Sequence, residues 1–112
     1  MNIKTEQTEG ITVLFIREDR FDANNSEEVK VEMRRLFESG TTDLIIDLKD
    51  VHFIDSSGLG VLVSGYKSAS LLHGSLKLSN LQSQVKSMFE LTRLHRVFDI
   101  FMTVDDALES YK

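Results

Sequence analysis

Between Thr42 and Leu48 the chain reads TDLIIDL, a short run with apolar side chains on both sides of an extended backbone. Such a run suits a strand buried on both faces, the kind found where helical crossovers pack on a parallel sheet. The next residues narrow the choice further. Lys49 to His52 turn the chain, Phe53 and Ile54 make a brief extended step, and LGVLVSGYKSASLLH then takes up a helical period. Leu59, Leu62, Val63, Tyr66, Ala69 and Leu72 or Leu71 fall on its apolar side, and Gly74 ends it. Strand, helix, then the alternating SLKLS of Ser75 to Ser79 make a βαβ unit.

The rest of the chain extends this pattern. Asn2 to Thr8 reads as a weak edge strand and Ile11 to Arg17 as a strong one, with Glu9-Gly10 as the hairpin turn between them. Asp22, Asn24, Asn25 and Ser26 are capping residues. Asn24 or Asn25, followed by Glu27 and Glu28, marks a helix start. Val29, Met33, Leu36 and Phe37 share its inner face, charged residues cover the outer one, and Gly40 is its stop. Gln82 to Thr92 is a helix with Val85, Met88 and Phe89 inward; Met33, Met88 and Phe89 read as packing residues. Val97 to Phe101 is a short strand. Thr103 caps a last helix whose Ala107 and Leu108 face in. The order β, β, α, β, α, β, α, β, α predicts an α/β domain with a mixed four- to five-stranded sheet. About four helices are expected, largely on one face, because so small a domain struggles to cover both.

With 112 residues the chain is expected to form a single domain spanning 1–112, and a monomer. It has no cysteine, so disulfides and thiolate metal sites are excluded. The first ten residues carry no apolar signal segment, and the longest strongly apolar stretch, Gly58 to Val63, is too short for a bilayer. A cytoplasmic home is the expectation. A net charge of −5 argues against nucleic acid or an anionic membrane as the main partner.

Catalytic signatures are missing. Gly58-Leu59-Gly60 lacks the third glycine of a dinucleotide site and the lysine of a P-loop. His52, His73 and His95 are scattered, so no metal or other cofactor is expected. No nucleophile-elbow pattern surrounds Ser56, and an enzyme is not expected.

Asp55-Ser56-Ser57-Gly58 is the segment that ordinary folding accounts for least. A helix cap explains one such residue, and here three stand in a row. Gly58 and Gly60 each cost roughly 1 kcal/mol against alanine in a helix, a cost that close approach of another backbone or a phosphate would justify.

Residues 43 to 67, DLIIDLKDVHFIDSSGLGVLVSGYK, closely resemble the core signature of STAS-domain anti-sigma factor antagonists, the bacterial anti-anti-sigma proteins. Phe53 to Gly60 match the family's aromatic-apolar-Asp-Ser-(Ser/Thr/Ala)-Gly-Leu-Gly at every position. The likeness extends along the chain, through Asp22 before the first helix and Leu91 to Phe98 near the end. It implies the STAS fold and a protein-binding switch. Ser56 matches the phosphorylated serine, with Ser57 the alternative, and Asp22 and Asp55 match aspartates beside it.

The resemblance also implies partners: an ATP-dependent anti-sigma serine kinase of the GHKL type and a PP2C-type phosphatase. The unphosphorylated form binds the kinase and frees the sigma factor, and phosphorylation releases the kinase. The expected partner-binding residues are Asp22, Asp55, Ser56, Ser57, Gly58, Leu59 and Gly60. Leu59, Val61 and Ser64 are expected on the exposed side of the helix, although Leu59 also fits the apolar period. The alternative is a STAS domain with another output, regulating secretion or signalling or serving as a subunit of a lipid-transport ATPase. In one place the chain departs from the family. A glycine usually stands three residues before the first aspartate, and here it is Asp19, so that turn should be built differently.

Overall fold

The computed structural model describes residues 1–112. Strand β1 (Ile3–Thr8) turns at Glu9-Gly10 into β2 (Ile11–Ile16), with Thr8 opposite Ile11. Both turn residues lie in the left-handed region (φ 53° and 82°), as the tight hairpin turn requires, and glycine supplies the second without strain. Next come β3 (Arg20–Phe21), α1 (Ser26–Glu38), β4 (Asp43–Asp47), β5 (Phe53–Ile54), α2 (Ser56–Leu71) and β6 (Ser75–Ser79). The chain ends with α3 (Ser83–Leu91), a 3-10 turn (Leu94–Arg96), β7 (Ile100–Phe101) and α4 (Val104–Glu109).

Five strands form one mixed sheet in the order β1-β2-β4-β6-β7, antiparallel only between β1 and β2. The central strand shows why TDLIIDL reads as it does. Leu44 and Ile46 point into the main core with Val29, Met33, Leu62 and Phe89 of α1, α2 and α3. Ile45 points the other way, into a smaller cluster closed by Ala107 of α4. Three helices therefore cover one face and a short fourth covers part of the other. No helix is long and apolar enough to cross a membrane.

The fold departs from the sequence reading in three places. Residues 97–101 do not make one strand: only Ile100 and Phe101 pair with β6, while Phe98 drops into the core against Tyr66 and Phe89. Leu71 and Leu72 are exposed, and Ala69 is the last buried residue of α2. The third departure bears most on function. Arg20-Phe21 is a strand, and it pairs in parallel with Phe53-Ile54 as a separate two-stranded ribbon.

Candidate functional site

That ribbon brings two distant parts of the chain together. Arg20 stands opposite Phe53 and Phe21 opposite Ile54, so the residues just past the ribbon, Asp22 and Asp55, come to the same end. Asp55 is the N-cap of α2. One carboxylate oxygen, Oδ1, accepts from the backbone N–H of Ser57 (2.9 Å) and of Gly58 (3.0 Å). The other, Oδ2, accepts from the N–H of Ala23 at 3.2 Å, which joins the two segments.

The capping role thus falls to one residue of the three. Ser56 is the first residue of the helix rather than the one before it, it is exposed, and its hydroxyl takes no part in the cap. Ser57 is half-buried, with its N–H committed to Asp55.

Asp22 is buried and organises the loop before α1. Its Oδ1 accepts from Asn24 N–H (3.0 Å) and its Oδ2 from Arg20 Nε (3.1 Å). Asn25 is the N-cap of α1 by position, yet its side chain bonds no helix N–H. Its Oδ1 accepts from Asp22 N–H instead, and its amide donates to the Arg20 carbonyl. The turn at Asp19 is built from its own contacts. The Asp19 carbonyl accepts from the N–H groups of His52 (2.7 Å) and Phe53 (3.2 Å), and its carboxylate meets His52 Nδ1 at 2.9 Å. Asp19 does not adopt a positive φ, so no glycine is required there.

Two expectations for the helix change. Leu59 and Val61 are only 6% and 7% exposed and belong to the core, so the outward face expected of them is not theirs, and Ser64 is half-buried. The first turn of α2 presents Ser56 and Gly60 to solvent, with Leu59 and Val61 turned under. Gly58 is also buried. Its missing side chain makes room for the Phe21 carbonyl of the ribbon, and not for a visiting protein. Gly60 has open space where a Cβ would stand.

Arg20 was not singled out from sequence, and Phe53 was read there only as the aromatic of the family motif and part of a brief extended step. Phe53 is an exposed aromatic, and the Arg20 guanidinium lies 4.0 Å above its ring centroid. The pairing of β3 with β5 that stacks them carries no local signal, since each strand has only two residues. Two surface grooves of about 640 and 330 Å³ lie elsewhere and do not include Ser56. The site thus combines the exposed Ser56, the half-buried Asp55, the buried Asp22 and the Arg20 guanidinium stacked on the exposed Phe53 ring.

The STAS domain family matches residues 2–107, and the chain belongs to that family. Among its relatives is the anti-sigma-B factor antagonist of Bacillus subtilis, 35% identical over 100 residues, covering 89% of this chain and 90% of that one. The anti-sigma F factor antagonist of Paenibacillus polymyxa is 26% identical over 110 residues, covering 96% and 94%. In solved structures the fold recurs in a STAS-domain anti-sigma-factor antagonist protein from Planctomyces limnophilus. The TM-score there is 0.88 at 20% identity, with 96% of both chains covered.

Proposed function

We propose that the chain is an anti-sigma factor antagonist that works by partner switching, with Ser56 as the phosphorylated residue. In its unphosphorylated form it binds an anti-sigma factor kinase and so frees a sigma factor. Transfer of the γ-phosphoryl group of ATP to Ser56 Oγ ends that binding, and a phosphatase of the PP2C type restores it. The role is binding rather than catalysis. The relatives named above support the pathway, and one observation carries the site. Asp55 takes over the cap of α2 and leaves the neighbouring Ser56 hydroxyl exposed at the first helical position.

The physics of that position favours a switch that spares the fold. Helix N-termini tolerate negative charge because the positive end of the dipole faces it, even here, where Asp55 already takes the Ser57 and Gly58 N–H groups. A phosphate adds about −1.5 to −2 charge. It would stand beside Asp55 and close to Asp22, so a partner surface matched to the neutral hydroxyl would meet concentrated negative charge. A loss of about 3–4 kcal/mol would weaken binding several-hundred-fold.

The test is mass spectrometry of the protein from its own cells, on the peptide spanning Phe53 to Lys67, with labelling from ATP by the co-purifying kinase. Phosphate on Ser56, and loss of labelling but not of kinase binding in Ser56→Ala, are the expected results. Labelling that persists in Ser56→Ala and disappears in Ser57→Ala would move the acceptor by one residue. An unlabelled chain that captures no kinase would overturn the proposal.

A further inference from the structure

We propose that Arg20 is a latch for the phosphate: once Ser56 is phosphorylated, the guanidinium leaves the Phe53 ring and the Asp22 carboxylate and pairs with the phosphate oxygens. This rests on Ser56 being the acceptor, and it assigns a moving part to the switch.

The resting position of Arg20 is held by two contacts of an exchangeable kind. Its guanidinium lies over the Phe53 ring at 4.0 Å, and its Nε donates to Asp22 Oδ2 at 3.1 Å. The arginine side chain is 58% exposed and Phe53 is 40% exposed, so both contacts compete with water. Of the five guanidinium N–H donors, the carboxylate engages only the one on Nε. The paired donors that fit a phosphate two at a time are left over.

Reach follows from the ribbon. Arg20 stands opposite Phe53, and paired strands lie about 4.8 Å apart. Ser56 is three residues beyond Phe53, which is at most roughly 10 Å of chain. The Ala23–Asp55 hydrogen bond closes the same end, so the two segments do not diverge there. An extended arginine and a phosphoserine side chain together are long enough for such a gap.

Charge supplies the drive. In the two segments that meet here, 19–23 and 52–56, the ionisable groups are Asp19, Arg20, Asp22, His52 and Asp55, and His52 is engaged by Asp19. Arg20 is the one guanidinium among them. A phosphate of nearly two charges outbids a single carboxylate for it, with two parallel N–H···O bonds in place of one. Its departure would strip the cation from the Phe53 ring and leave Asp22 without its ion pair. A partner would then meet an altered aromatic and acidic surface as well as the phosphate itself.

The test installs phosphoserine at position 56 during translation, in the natural chain and in Arg20→Gln. It therefore does not depend on whether a kinase chooses Ser56, which the mass spectrum decides separately. The second ionisation of the phosphate is followed by phosphorus NMR. The expected result is a midpoint about half a pH unit lower in the natural chain than in Arg20→Gln. The Arg20 Nε–H resonance of the natural chain, compared with and without the phosphate, gives a readout that needs no arginine variant, and it should shift on phosphorylation. Coincident phosphate titrations, or an Nε–H resonance that ignores the phosphate, would overturn the latch while leaving the proposed switch standing.

Discussion

The carbonyl oxygen of Phe21 lies 2.5 Å from where a Cβ on Gly58 would stand, so the ribbon and the first turn of α2 touch backbone to backbone. Neither side can yield cheaply, because the same carbonyl faces the Asp55 N–H at 3.4 Å and Phe21 is fully buried. Gly58→Ala gains about 1 kcal/mol of helix propensity and meets an overpacking cost of up to about 3 kcal/mol. We expect a net loss of about 1–2 kcal/mol, seen as a lower urea midpoint with an unchanged slope. A variant as stable as the parent would mean that the contact is not tight.

Gly60 is the opposite case, with nothing within 4 Å of an added Cβ. Gly60→Ala should raise stability by about 0.5–1 kcal/mol. If Gly60 belongs to the kinase-binding face, as the family resemblance implies, the added methyl group should still weaken capture of the kinase tenfold or more. Unchanged affinity in a calorimetric titration would remove Gly60 from the binding face.

Ser56→Asp separates fold from interface. An acid at the first helical position meets the positive end of the dipole, which offsets its repulsion from Asp55. The thermal midpoint should stay within a few degrees of the parent, while kinase affinity falls at least tenfold. A midpoint collapse would mean that charge at this position acts through the fold.

Asp55 should be sensitive in another way. Asp55→Ala removes the acceptor for Ser57, Gly58 and Ala23 together. Loss of a cap costs about 1–2 kcal/mol, and here the tie to the α1 loop goes with it. Asp55→Asn keeps an acceptor oxygen and should recover most of that loss. Equal damage in both denaturation curves would assign the effect to charge rather than to capping.

The long elements were legible because burial imposes a period on them. TDLIIDL lacks the apolar-polar alternation of a half-buried strand, and that lack is itself the signal of a two-sided one, since Leu44 and Ile46 face one core and Ile45 the other. The Asp-Ser-Ser-Gly segment was legible as a site, but not the division of labour within it. Sequence does not say which of three capping residues caps; the backbone at Asp55 decides it. The β3–β5 ribbon was not legible. Two-residue strands have no periodicity, and their pairing depends on contacts more than 30 residues apart, such as Ala23 with Asp55. Without the ribbon, Gly58 reads as an opening for a partner, and nothing draws Arg20 and Phe53 together.

At the far end of the chain, Ser75 Oγ donates its proton to Asp43 and accepts from the Tyr111 hydroxyl at 2.5 Å, and Lys77 Nζ lies 3.9 Å from the centroid of the Tyr111 ring. Burial pushes the Tyr111 phenol up from its usual range, and the charges of Asp43 and Asp99 raise it further. A phenol that holds its proton more tightly in the folded chain stabilises the fold fully below its unfolded value of about 10. That contribution disappears as pH climbs through the raised folded value. Stability should therefore fall on the alkaline side, above about pH 10, as the phenolate is forced into a half-buried site beside carboxylates. Tyr111→Phe should flatten that part of the curve in urea denaturation from about pH 8 to 11. An identical alkaline slope in the variant would show that Tyr111 ionises as freely in the fold as outside it.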